Sequence, residues 1–286
     1  VEQEFRLSVK RASHALVETA PDAIVVFYPD HMNGFFHGQI PDFALCETAD
    51  SLGDWGTAPG ALDVPIELVR SLADWLEGAG QDIPLLQHLV IDHGATQPIE
   101  LLSSSLPIIP VFINCVVAPR PNFRSVEKLG KAVGEWAQAS TKRIAIIGSG
   151  GLSHDPPLPQ RSAAMDAEGM GPRVLDHSAR VSRQNRVFSA AEAFAAGHAS
   201  QSRSLAPDWD IAFMDALAAG QTAYAADWTD AEVTETGGNG GHEVRCWVAA
   251  MAALSAAGNY CVSERYYRPV PEWLTGMGVM VAAPQD

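Results

Sequence analysis

The sequence predicts an α/β fold: one domain with a central, largely parallel or mixed sheet flanked by helices. A short, continuous apolar run at 23–28 has the composition of a strand buried on both faces, and largely apolar segments at 108–117 and 143–147 read as further strands. They alternate with longer segments whose apolar residues recur at helical spacing, the pattern of βα units. Of the 286 residues, 47% are hydrophobic and 19% charged, enough to bury a full core. Length alone allows one large domain or two small ones. No repeat, low-complexity tract or Pro/Gly-rich block divides the chain, so 1–286 reads as a single domain.

Residues 1–20 carry apolar positions at helical spacing, and Ala23 to Tyr28 form the first strand. The segment 41–61 reads as a long loop, and 65–78 as a helix with Pro65 in its first turn. A second strand is expected over 86–92, a third over 108–117, a helix over 125–139 and a fourth strand over 143–147. The polar stretch 160–185 gives no clear period. Helices are expected over 188–197, 207–219 and 242–257, before a tail that holds RYYRPVPEW and a last apolar run, 279–283.

Composition excludes several functions. Lys and Arg number 19 against 34 Asp and Glu, a formal charge of −15, and the longest basic cluster is Lys142-Arg143. Nucleic acid and anionic membrane surfaces both need clustered cations, so neither is an expected partner. No apolar run approaches the roughly 18–20 residues of a membrane span. The four cysteines, Cys46, Cys115, Cys246 and Cys261, lie far apart without a CxxC pair. They fit neither a zinc finger nor a redox dithiol, and read as thiols in a reducing compartment, so a cytoplasmic location is expected.

The chemistry concentrates where strands end. The first strand runs into Pro29-Asp30-His31, the second into Asp92-His93-Gly94 and the fourth into Gly148-Ser149-Gly150-Gly151-Leu152-Ser153-His154. Ligands in open α/β sheets bind beyond the carboxyl ends of the strands, and histidine is the usual metal ligand and proton carrier there. One such histidine is an ordinary loop residue, but three at equivalent positions form a candidate site. His14, His88, His177 and His198 lack that placement, and His37 lies beyond Phe35-Phe36. Glu243 follows a glycine-rich segment, 234–241, and opens an apolar helix. A carboxylate there either favours the helix dipole or is carried to a metal by a rigid helix. Two histidines plus one carboxylate match the facial triad of non-haem Fe(II) oxygenases, although zinc accepts similar ligands. The Gly148 loop is no dinucleotide fingerprint, because Ser153 occupies the third glycine position, nor is it a G-x-S-x-G nucleophile elbow.

Six motifs in order, DHMNGFF (30–36), DHGATQP (92–98), PVFIN (110–114), GSGGLSHDPP (148–157), HEVRCWVAA (242–250) and RYYRPVPEW (265–273), closely resemble the class III extradiol catechol dioxygenases. The resemblance covers essentially the whole chain, matches poorly only near 160–185, and is closest in the branch that cleaves 2,3-dihydroxyphenylpropionate. The protocatechuate 4,5-dioxygenase β-subunit is a more distant match. It implies Fe(II) held by His31 and Glu243, with His154 as base and His93 as acid. A third ligand histidine belongs to a His-Ser-Pro motif after a first strand, expected upstream of residue 1; His14 is no substitute for it. The implied partners are O₂, a 3-substituted catechol and further copies of the chain in a homo-oligomer. A zinc hydrolase or an inactive scaffold on the same fold is the alternative. Arg265 and Arg268 are candidates for the substrate carboxylate or else surface ion pairs. Phe35, Phe36, Tyr266, Tyr267 and Trp273 line a pocket or pack the core.

Overall fold

The computed structural model describes residues 1–35, 40–157, 177–198 and 202–285. Helix α1 (Glu2–Thr19) leads into β1 (Ala23–Tyr28), followed by β2 (Phe43–Cys46), β3 (Ala49–Ser51) and β4 (Gly60–Ala61). Then come α2 (Ile66–Gly78), β5 (Leu85–Leu86), β6 (Leu89–Ile91), α3 (His93–Leu101), β7 (Ile108–Ile113), α4 (Phe123–Ala139) and β8 (Ile144–Gly148). The second half holds α5 (His177–Ala195), α6 (Pro207–Ala218), α7 (Asp230–Gly237), a 3₁₀ turn (Gly240–Glu243), α8 (Val244–Ser255), β9 (Tyr260–Val270) and β10 (Thr275–Pro284).

The main sheet has five strands in the order β5-β2-β7-β1-β8. β1 runs parallel to both β7 and β8, with Val25 beside Ile109 and Ile146. β2 is antiparallel to β7 and parallel to β5, so the sheet is mixed and mostly parallel, as expected. Every residue of β1 and β7 is buried, which is why their sequences are continuously apolar rather than alternating. Successive side chains of a strand point to opposite faces. Val25 and Phe27 therefore join one core, with Leu72 of α2, Val126, Leu129 and Val133 of α4, and Val248 of α8. Ile24, Val26 and Tyr28 join the other, with Leu89 and Ile91 of β6 and Ala95 of α3.

Several local expectations are corrected. The segment read as a long loop, 41–61, contains β2, β3 and β4, which at two to four residues are too short to show a period. The second strand is broken: β5 joins the main sheet, while β6 joins β3 and β4 in a separate three-stranded sheet. Helix α3 begins at once, at His93. Its N-cap Asp92 accepts the Gly94 N–H, and Pro98 inside the helix hides its signal. The glycine-rich segment begins within α7, whose capping box pairs Thr229 with Glu232. Helix α5 starts earlier than 188. The tail is an antiparallel hairpin of β9 and β10. Among the described residues, no helix is long and apolar enough to cross a membrane.

Helices α4 and α8 touch backbone to backbone through glycine. A Cβ on Gly134 would lie 2.0 Å from the Ala253 carbonyl oxygen, whereas one on Gly78 would meet nothing within 4 Å. Gly134→Ala is expected to destabilise the fold by about 1–3 kcal/mol in urea denaturation, the usual cost of overpacking. Gly78→Ala is the control and should be neutral or slightly stabilising. Equal midpoints for the two variants would show that the helices separate without cost.

Candidate active site

His31 lies three residues beyond β1, and His93 lies two residues beyond β6 at the start of α3. The loop after β8 brings His154, and the 3₁₀ turn brings Glu243. All four predicted residues line one cavity of about 1230 Å³. Three of them meet directly. Oε1 of Glu243 stands 3.3 Å from Nε2 of His31 and 3.3 Å from Nε2 of His154. Its other oxygen accepts the Gly151 N–H at 2.7 Å.

Glycine makes this approach possible. Gly150 has φ 144°, and a Cβ there would lie 2.7 Å from Cβ of Glu243. A Cβ on Gly240 would fall 2.1 Å from Nε2 of His154. Backbone bonds tie the two loops together, with the His154 N–H on the Gly237 carbonyl at 2.8 Å and the Gly240 N–H on the His154 carbonyl at 2.9 Å. Nδ1 of His154 is 2.8 Å from the Leu152 carbonyl oxygen, which can only accept. Nδ1 therefore carries a proton, and Nε2 faces the carboxylate.

The remaining partners fix ring orientations. Oδ2 of buried Asp92 accepts the His31 N–H at 2.8 Å and the Asn33 side-chain N–H at 2.8 Å, and holds Nδ1 of His31 at 3.1 Å. Its Oδ1 accepts the Gly94 N–H at 2.9 Å. His31, Asp92 and His93 present ligand atoms within 4.8 Å of one another. With both its oxygens engaged, however, Asp92 serves as the support that turns Nε2 of His31 toward Glu243. The His93 ring stacks on His31 with centroids 4.3 Å apart. Asp54 accepts the His93 N–H at 2.8 Å and holds Nδ1 at 2.7 Å. A buried Asp210 receives the Ser153 N–H at 2.7 Å, the Ser153 hydroxyl at 2.6 Å and the Tyr267 hydroxyl at 2.6 Å, anchoring the His154 loop to α6 and β9.

These contacts set the charges. Burial alone would raise the Glu243 pKa, but the charges and hydrogen bonds of His154 and His31 outweigh it and hold the carboxyl well below its ordinary range. Burial opposes charge on His31 and His154, yet Asp92 and Glu243 push the first up and Glu243 the second. Burial, then the Asp92 charge, move Asp30 up to about 7. A buried carboxylate oxygen facing Nε2 of an oriented imidazole fits a divalent first-row cation, which would replace the proton that the His31 contact otherwise requires.

Of the other sequence candidates, most lie elsewhere. Arg265 pairs with Asp215, and Arg268 with Glu4 at 3.3 Å, so both are surface ion pairs and neither lines the cavity. Tyr267 is held by Asp210, Tyr266 packs on Phe5, and Phe35 packs on Phe112, while Trp273 both packs on Phe5 and lines the cavity. Phe36 and His37 lie outside the described residues. His14 is exposed beside Glu18. His242 faces away, between Thr234 and Arg245, and burial with the charges of Arg120 and Arg245 moves its pKa down to about 3. Sequence reasoning missed the roles of Asp92, Asp54 and Asp210. Asp92 had a signal, since it sits beside His93 in the DHG motif.

Comparison with known proteins gives the family. Residues 2–278 match the model of the catalytic LigB subunit of aromatic ring-opening dioxygenase. A 2,3-dihydroxyphenylpropionate/2,3-dihydroxicinnamic acid 1,2-dioxygenase of Azotobacter vinelandii is 42% identical over 282 residues, 96% of this chain and 90% of that protein. Proteins of the same name from Paraburkholderia xenovorans and Escherichia coli are 43% and 39% identical over 270 and 287 residues, covering 92% and 97% of this chain and 85% and 90% of theirs. A match of this length and identity makes the chain a member of the LigB family of aromatic ring-opening dioxygenases.

Proposed function

We propose that the chain performs extradiol cleavage of a 2,3-dihydroxyphenylpropionate-type catechol by O₂, with Fe(II) held by His31 and Glu243. The single observation that carries the ligand assignment is the buried Glu243 oxygen 3.3 Å from Nε2 of His31, whose ring Asp92 holds in that direction at the edge of a cavity. The relatives' names and the family support the reaction class and the catechol. Bound Fe(II) would supply the Lewis acidity and redox chemistry with O₂ that no side chain offers.

The chain's own residues handle protons and orientation. The Leu152 carbonyl keeps the His154 proton on Nδ1, so Nε2 is the atom that accepts a catechol hydroxyl proton. Asp54 holds Nδ1 of His93, leaving its Nε2 to deliver a proton as the ring opens. The stack on His31 keeps that imidazole against the ligand side of the cavity. Asp92 prevents His31 from rotating.

The direct test loads the protein with Fe(II) without air, adds 3-(2,3-dihydroxyphenyl)propionate and then O₂, and follows oxygen uptake with the yellow ring-opened product. Stoichiometric uptake and colour are expected; iron-loaded protein that gives neither overturns the reading. His93→Ala and His154→Ala should each lower kcat by about 10²–10⁴ while retaining iron. Full turnover in either variant removes that residue from the mechanism. Glu243→Ala should lose iron in metal analysis, and stoichiometric iron there would exclude Glu243 as a ligand. Asp54→Asn should cost about 10–100-fold in kcat without loss of iron. An unchanged kcat would mean that His93 needs no orienting partner.

A further inference from the structure

We propose that Arg183, on α5, receives the side-chain carboxylate of the catechol. The inference rests on the substrate class proposed above, whose members carry an anionic three-carbon side chain. A protein with a formal charge of −15 repels such an anion, so a local cation is needed to hold it. The cavity around the histidines is itself rich in acid, with Asp54 and Glu243 on its wall and Asp30 and Asp92 buried beside it.

Helix α5 lies against this wall. Its Phe188 ring meets Trp55 edge-on at 5.3 Å, and Trp55 stands 5.5 Å from His93. Arg183, one and a half turns earlier, is half-buried and lines the same cavity as His31, His93 and Asp54. Asp92, Asp30 and Asp54 attract its guanidinium, but each is already committed: Asp92 to His31, Asp30 to the backbone N–H groups of Asn33 and Gly34, and Asp54 to His93. Among the described residues, no hydrogen bond or ion pair engages Arg183. The structure thus draws a guanidinium into the cavity and leaves its donors unspent. Its planar fork matches a carboxylate in two parallel hydrogen bonds. Arg265 and Arg268, by contrast, are paired outside the cavity.

The test compares wild type, Arg183→Gln and Arg183→Lys in two assays. Calorimetry measures binding of 3-phenylpropionate, which has the carboxylate but no hydroxyls and so reports the anion site without iron chelation. Kinetics with the Fe(II)-loaded protein compare 3-(2,3-dihydroxyphenyl)propionate with uncharged 3-methylcatechol. Arg183→Gln should weaken 3-phenylpropionate binding on the order of 10- to 100-fold. It should shift the ratio of the two kcat/KM values against the propionate by a similar factor, mainly through KM. Arg183→Lys should recover part of both, and it keeps the test open if the glutamine variant does not fold. An equal fall with both catechols would overturn the proposal and assign Arg183 to balancing the acidic cluster; unchanged 3-phenylpropionate binding would also overturn it. If wild type cleaves neither catechol yet binds 3-phenylpropionate through Arg183, ring cleavage fails and the carboxylate site stands.

Discussion

The site depends on one buried carboxylate oxygen. Oε1 of Glu243 faces His31 from the end of β1 and His154 from the loop after β8, 3.3 Å from each. The three residues are separated by more than a hundred positions of sequence on one side and nearly ninety on the other. Parallel pairing of β1 with β8 makes both strands end at the same edge of the sheet, so their loops emerge together. The 3₁₀ turn ahead of α8 then lowers Glu243 between them. Burying such a carboxylate is costly unless it is paired, and the histidines with the Gly151 N–H provide that pairing.

Around this centre, each acidic group has a separate task. Asp92 turns His31, Asp54 turns His93, Asp210 fastens the loop of His154, and Asp30 ties down the backbone after β1. The division explains how so acidic a cavity can hold its histidines in fixed orientations. It also leaves the guanidinium of Arg183 on the cavity wall for an incoming anion.

Much of this was legible in the sequence. The double-sided apolar runs marked β1 and β7, and the histidines just past the strand ends marked the edge where the cavity opens. Motif order identified the family. The parts that stayed hidden are those whose signal is not local. The short strands β2 to β5 are defined by pairing partners rather than by pattern. Helix α3 contains a proline that its capping residue offsets. Asp54 is joined to His93 across 39 positions by the fold, with nothing in the intervening residues to announce it. Arg183 sits on α5, whose helical period is weak because many of its described side chains face solvent. Residues that hold a site in place are chosen by what they meet in space, whereas residues that do chemistry are restricted in type and so stand out in the chain.

The double allegiance of β1 has a consequence for how such a chain can change over time. Alternate residues of one six-residue strand feed two different cores, and His31 follows that strand at a fixed offset. Exchanging one apolar residue for another disturbs a single layer. Inserting or deleting one residue turns both layers inside out and swings the imidazole to the wrong side of the sheet. Identity within 23–28 is therefore free to drift among apolar residues of similar volume, while spacing is not. The lineage can tune this strand, but it cannot lengthen or shorten it by one.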